Sequence, residues 1–362
     1  MKIGLGLPGN IINERNLRFA KQIGATHIVA HLVSARSGHP LEQQGHRVSE
    51  PNSHAFSLEG LRELQEMVEG QGLHLEAIEN FAPADWYDVL LDGPRRDQQM
   101  ETLKTLLRNL GRLGIPTMGY NFSVAGVWGR DPVPEARGGA ETVAFRDPEQ
   151  PAIPRGMIWN MVVDPDQFRP DDPSSVLAPI SVKEHWRRHD RFLQDILPVA
   201  EEAGVTLALH PDDPPLPTLR GTGRLVSRPE HYQQLLEQHP SPNWGLEFCI
   251  GTLAEMPDSD ILQVVDRYSR TRKIAYVHFR NVVGTVPSYK EVFIDEGQTD
   301  MLEAVSILHR NGFGGVIIPD HTPLLDCDAP WHAGVAYALG WMRAALRSIG
   351  ALDDSPAPAP VG

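Results

Sequence analysis

GLEFCIGT, residues 245–252, is a short, largely apolar run that stops at a Gly-Thr turn, and it carries one of only two cysteines in 362 residues. A buried free cysteine ordinarily packs as a small hydrophobe. Whether Cys249 does more depends on what the neighbouring segments are.

Seven other runs have the same character: KIGLGL (2–7), HIVAHL (27–32), HLEAIEN (74–80), TMGYNF (117–122), TLALHP (206–211), IAYVHFRN (274–281) and GVIIPD (315–320). Between them lie segments such as LEGLRELQEMVEGQG (58–72) and VKEHWRRHDRFLQDILPVAEEAG (182–204), whose apolar residues recur at three- and four-residue spacing. That is the pattern of helices laid against a sheet. Strands that are apolar throughout and alternate with helices belong to parallel sheets covered on both faces. Eight such units predict an α/β fold, a single (β/α)8 TIM barrel over residues 1–350. Gly72, Gly114, Gly204 and Gly312 are expected at left-handed helix ends.

The rhythm breaks once. Residues 123–181 contain nine prolines and no sustained period. This Pro-rich insertion after the fourth strand falls on the C-terminal face of the barrel, where it is expected to act as a lid or as a contact between copies of a homo-oligomer. The Pro/Ala-rich residues 351–362 read as a disordered tail.

A formal charge of -14, from 33 basic and 47 acidic residues, argues against a nucleic-acid partner, which requires a basic footprint. No apolar stretch approaches the roughly 18 residues of a membrane helix. The N-terminal MKIGLGLPGN lacks the apolar core of a signal peptide, and two cysteines make no disulfide framework. A soluble, cytoplasmic protein without a membrane partner is expected.

In a barrel of this kind the chemistry sits at the C-terminal ends of the strands. Those positions hold His210, Cys249, His278 and Asp320, separated by 39, 29 and 42 residues, each close to one βα repeat. Neighbouring strands run about 4.8 Å apart, so four such side chains can converge on one metal ion. Cys249 is then expected to be a thiolate ligand. One thiolate, two imidazoles and one carboxylate suit Zn2+, Fe2+ or Co2+ by softness, while Mn2+ prefers harder donors.

Other polar residues gather at the same rim. Arg280 could pair with a substrate carboxylate, and His321 could act as a general base. Asn121 and Tyr120 could bond hydroxyl groups, with Glu79 and Asn80 as further candidates. Asp212 or Asp213 could orient the His210 imidazole. Tyr337, on the last helix, reads as core packing, and Cys327 as an ordinary loop residue.

With these residues in view, the sequence resembles the manganese- or iron-dependent mannonate dehydratases of the xylose-isomerase-like barrel superfamily. The resemblance runs through LKTLLRNLGRLGIPTMGYNF (103–122), ALHPDDPP (208–215), FCIGTLAEM (248–256), VHFRNV (277–282), YKEVFIDEGQTDM (289–301), IPDHTP (318–323) and GVAYALGWMRA (334–344). It implies a lyase of carbohydrate metabolism, a hydro-lyase that converts the sugar acid D-mannonate into 2-keto-3-deoxy-D-gluconate and water. It further implies Mn2+ ahead of Fe2+, Co2+ or Zn2+, metal ligands at His210, Cys249, His278 and Asp320, and an acid/base pair at His321 and Tyr337. The family usually has Gly after its Asp-His pair, where Thr322 and Pro323 follow here. Three alternatives therefore stay open: a related aldonate or uronate as substrate, a sugar isomerase or epimerase on the same barrel, and a sugar-binding barrel without turnover.

Overall fold

A computed structural model describes residues 1–33 and 39–353. Among them eight strands close into a parallel ring: β1 (Lys2–Pro8), β2 (His27–His31), β3 (His74–Glu79), β4 (Thr117–Tyr120), β5 (Thr206–Leu209), β6 (Trp244–Cys249), β7 (Ile274–His278) and β8 (Val316–Ile318). Each pairs with its neighbour in chain order, and β8 returns to β1. The helices α1 (Glu14–Gln22), α2 (Leu58–Glu69), α3 (Arg96–Leu113), α4 (Val182–Ala203), α5 (Pro229–Gln238), α6 (Ile261–Ser269), α7 (Met301–Arg310) and α8 (Pro330–Ser348) form the outer layer. The expected (β/α)8 barrel is present.

Local chemistry sets the helix boundaries. Ser181 caps α4 by accepting from the Glu184 amide, with the acidic residue three positions on that such caps favour. At its other end Gly204, at φ 68°, turns the chain toward β5. All four glycines expected at left-handed helix ends have positive φ.

The insertion has more structure than its composition suggested. Its segments Arg130–Ala136 and Ala140–Arg146 pair antiparallel and extend a hairpin, Asn281–Thr285 with Ser288–Val292, that follows β7. Pro132 and Pro134 lie in the edge strand of this four-stranded sheet, the place where a residue without an N–H is tolerated. The sheet carries Arg130 and Glu291 to the mouth of the barrel.

Inside the ring, Val29, Ala77, Ala208, Tyr276, Val316 and Ile318 form a small core distinct from the helix-facing one. Gly119 faces the same space. A Cβ there would collide with the Tyr276 hydroxyl and with Glu247 Oε2, so the glycine makes room for a polar layer in the lumen. Of the expected tail 351–362, the first residues are tied to the start of β1. The Met1 amino group donates to the Ala351 carbonyl at 2.6 Å, and the Asp353 amide donates to the Met1 carbonyl at 2.8 Å. Residues 354–362 lie outside the described residues. Among the described residues no helix is long and apolar enough to cross a membrane.

Candidate metal centre and active site

Parallel register brings the strand ends level. Cys249 closes β6 directly beside His278, which closes β7. His210 follows β5, held by a hydrogen bond from its amide to the Tyr120 carbonyl. One ligand atom from each of His210, Cys249 and His278 lies within 4.8 Å of the other two. Asp320, in the left-handed conformation just past β8, brings Oδ2 to 3.5 Å from His278 Nδ1.

The donor set fits a divalent cation. Both ring nitrogens of His278 are buried and without a hydrogen-bond partner among the described residues, an arrangement that is costly unless something else engages them. His210 Nδ1 sits 2.6 Å from the Pro211 carbonyl and donates to it, which leaves the Nε2 lone pair for an ion. Burial alone would raise the Cys249 thiol, but the Arg280 guanidinium and the His210 and His278 rings outweigh it and hold the thiol well below its ordinary value. Burial would lower His278, yet Asp320 and Glu79 outweigh it and hold the ring well above the usual imidazole value.

Two expectations are corrected. Arg280 is not free to clamp a substrate: it is 2% exposed. Its Nε donates to Asp320 Oδ2 at 3.0 Å, Nη1 to Glu255 Oε1 at 2.7 Å, and Nη2 to Asp213 Oδ2 at 2.9 Å. A guanidinium so committed is the counter-charge of the site. Nor does either aspartate after His210 hold that ring: Asp213 takes Arg280, Arg130 and the Tyr289 hydroxyl, and Asp212 accepts from the Leu225 and Val226 amides. The Pro211 carbonyl does the orienting instead.

A cavity of about 250 Å³ opens above the centre, and its wall includes Asn80, Asn121, His210, His278, Asp320 and His321. Asn80, in the left-handed region at φ 68°, buries an Oδ1 that has no partner among the described residues. His31, Arg47 and Arg130 line the same cavity and were not singled out from sequence. His321 Nδ1 lies 3.0 and 3.1 Å from the two oxygens of Glu291. Burial lowers His321, but Asp320 and Glu291 raise it above the ordinary imidazole value. Glu291 therefore orients His321, a role hidden in the stretch YKEVFIDEGQTDM.

Tyr337 is placed apart. It does not line this cavity. It is 37% exposed, donates its hydroxyl to Asp295 Oδ2 at 2.7 Å, and receives a hydrogen bond from Arg137. It meets His321 only across a narrow pocket between α8 and the loops after β7 and β8. Cys327 is exposed and unpaired.

The family described as D-mannonate dehydratase (UxuA) matches residues 16–345. The mannonate dehydratase of Streptococcus pneumoniae (strain 70585) is 30% identical over 324 residues, 84% of this chain and 87% of its own length. That of Geobacillus thermodenitrificans (strain NG80-2) is 31% identical over 287 residues, 75% and 76% of the two chains. The crystal structure of mannonate dehydratase from Streptococcus suis serotype2 superposes with a TM-score of 0.75 at 26% identity, covering 100% of this chain and 98% of that one. L-ribulose 3-epimerase, at a TM-score of 0.56 and 15% identity over 96% and 95%, shares the fold alone. This chain belongs to the D-mannonate dehydratase family.

Proposed function

We propose that the protein is a cytoplasmic, metal-dependent hydro-lyase that converts D-mannonate into 2-keto-3-deoxy-D-gluconate and water. The observation that carries this reading is the meeting of His210, Cys249 and His278 within 4.8 Å, beside Asp320 and His321, in the cavity of a chain of this family. Residues 1–350 act as one catalytic domain, with 123–181 contributing the roof of the cavity.

His210, Cys249, His278 and Asp320 hold the cation, Mn2+ in this reading. When bound, the ion supplies Lewis-acid polarisation of the acid's carboxylate, which makes the neighbouring C2 proton easier to remove. Asn80 and Asn121 orient the sugar hydroxyls from the cavity wall. Arg47, exposed on that wall, offers the acid a positive charge. His321, held through Nδ1 by Glu291, takes the C2 proton on Nε2. Tyr337 gives a proton to the departing C3 hydroxyl, for which its side chain must turn from Asp295 into the pocket it shares with His321. The enol that results becomes the ketone.

The test is an assay of metal-free and Mn2+-reconstituted protein against a panel of aldonates and uronates, read by mass spectrometry. Loss of one water from D-mannonate, dependent on the ion, is the expected result. Conservation of mass with a changed sugar would replace dehydration by isomerisation, and metal binding with no product from any acid would leave a binding barrel.

A further inference from the structure

Below the metal centre the barrel lumen holds buried ionisable groups that this reaction leaves unassigned. Glu79, the last residue of β3, and Glu247, two residues before Cys249 on β6, are 2% and 1% exposed. Both carboxylates face one imidazole. His278 Nε2 lies 3.3 Å from Glu247 Oε1 and 3.4 Å from Glu79 Oε2, while Nδ1, on the other edge of the ring, lies 3.5 Å from Asp320 Oδ2. One edge of His278 therefore addresses the proposed ligands and the other addresses two acids.

Carboxylates inside a barrel are costly to desolvate and persist where partners hold them. Here the Tyr276 hydroxyl donates to Glu79 Oε2 at 3.0 Å, and His31 Nε2 lies 2.9 Å from Glu79 Oε1. Glu247 Oε2 is buried with no hydrogen-bond partner among the described residues. Gly119 leaves the space that Tyr276 and Glu247 occupy. The layer is thus built, and the His278 ring links it to the centre above.

The geometry points to Glu247 and Glu79 as positioning residues of the proposed metal centre: both flank Nε2 of His278 at ion-pair distance, hold the ring with Nδ1 toward the proposed ligands, and through Glu79 tie it to His31 on the cavity wall. An imidazole ligand needs its metal-facing nitrogen deprotonated and its ring held, and a carboxylate on the far N–H does both. This inference rests on the reading of His210, Cys249, His278 and Asp320 as ligands.

The experiment separates the two. Metal-free wild type, Cys249→Ala, Glu247→Gln, Glu79→Gln and the double Gln variant are titrated with Co2+ by equilibrium dialysis, and their absorption spectra are recorded. Gln keeps the volume of Glu, and circular dichroism of the metal-free proteins verifies folding. Each single Gln variant is expected to bind Co2+ about tenfold more weakly and the double about 100-fold, with shifted d–d bands as the imidazole reorients. Wild-type affinity and an unshifted spectrum in the double variant, with Cys249→Ala still losing the ion, would overturn this inference and leave the ligand reading standing. Should the double variant not fold, the single variants decide by the same criterion. A wild type that binds no Co2+ ends both.

Discussion

Arg280 Nε lies 3.0 Å from Asp320 Oδ2, and the same guanidinium reaches Glu255 and Asp213. The cation that strand-end spacing offers to a substrate is the counter-ion of a proposed metal ligand and of two further buried acids. Removing it leaves Glu255 without a cation among the described residues and weakens the pairing of Asp320 and of Asp213, which keeps Arg130. Arg280→Met is expected to lose about 3–5 kcal/mol of stability, the usual cost of stranding a buried partner, measured by urea unfolding of the metal-free protein. A loss under about 1 kcal/mol, the scale of an exposed pair, would return Arg280 to the substrate.

Cys249→Ser keeps the shape of the β6 end and replaces a soft thiolate by a hydroxyl that stays protonated at neutral pH. Because Arg280 and the two imidazoles favour the thiolate, the substitution removes a negative ligand together with its softness. Metal affinity is expected to fall by more than the roughly 10- to 100-fold of an outer-layer change, with circular dichroism unchanged. Full metal content after dialysis, read by elemental analysis, would remove Cys249 from the ligand set.

How much of this was legible follows from what sequence periodicity can encode. The barrel was readable because parallel strands buried on both faces are apolar throughout, and the meeting of His210, Cys249 and His278 because one residue per βα repeat falls at the same strand end. The lumen layer was hidden: Glu79 reads as a polar residue of the rim and Glu247 as a single acid in an apolar run, and only closure of the ring shows that both face His278. Glu291 acquires its role through pairing of Ser288–Val292 with Ala140–Arg146, a contact between distant segments that no local pattern announces. The prolines that concealed the strand Arg130–Ala136 are tolerated because it lies at a sheet edge.

Tyr337 tests the proton-transfer assignment. Its hydroxyl is committed to Asp295, so a structural tether and an acid make different predictions. As the acid, Tyr337→Phe is expected to lower kcat by about 10²–10⁴-fold, the range for one proton-transfer group, with KM and bound metal unchanged. A change below about threefold would make Tyr337 a tether of Asp295 and move the acid's role to the cavity wall.

Acid should destabilise the fold through histidines kept neutral in it. Burial pushes His185 down to about 4, its Nε2 held by the Phe122 carbonyl, and pushes His27 down to about 3. In the unfolded chain an imidazole titrates near about 6.5. Between those values the unfolded chain binds protons that the folded protein refuses, so stability falls as pH drops from about 6.5 to about 4 and is insensitive to these groups above about 7. Each residue contributes at most about 1.4 kcal/mol per pH unit in that window. Asp85 acts in the opposite sense: burial raises it to about 6, so protonation on acidification favours the folded state and offsets part of the loss. His185→Gln isolates the imidazole term: urea unfolding at pH 7 and pH 5 should show a shallower fall for the variant than for wild type. Equal slopes in the two proteins would mean that His185 is charged inside the fold.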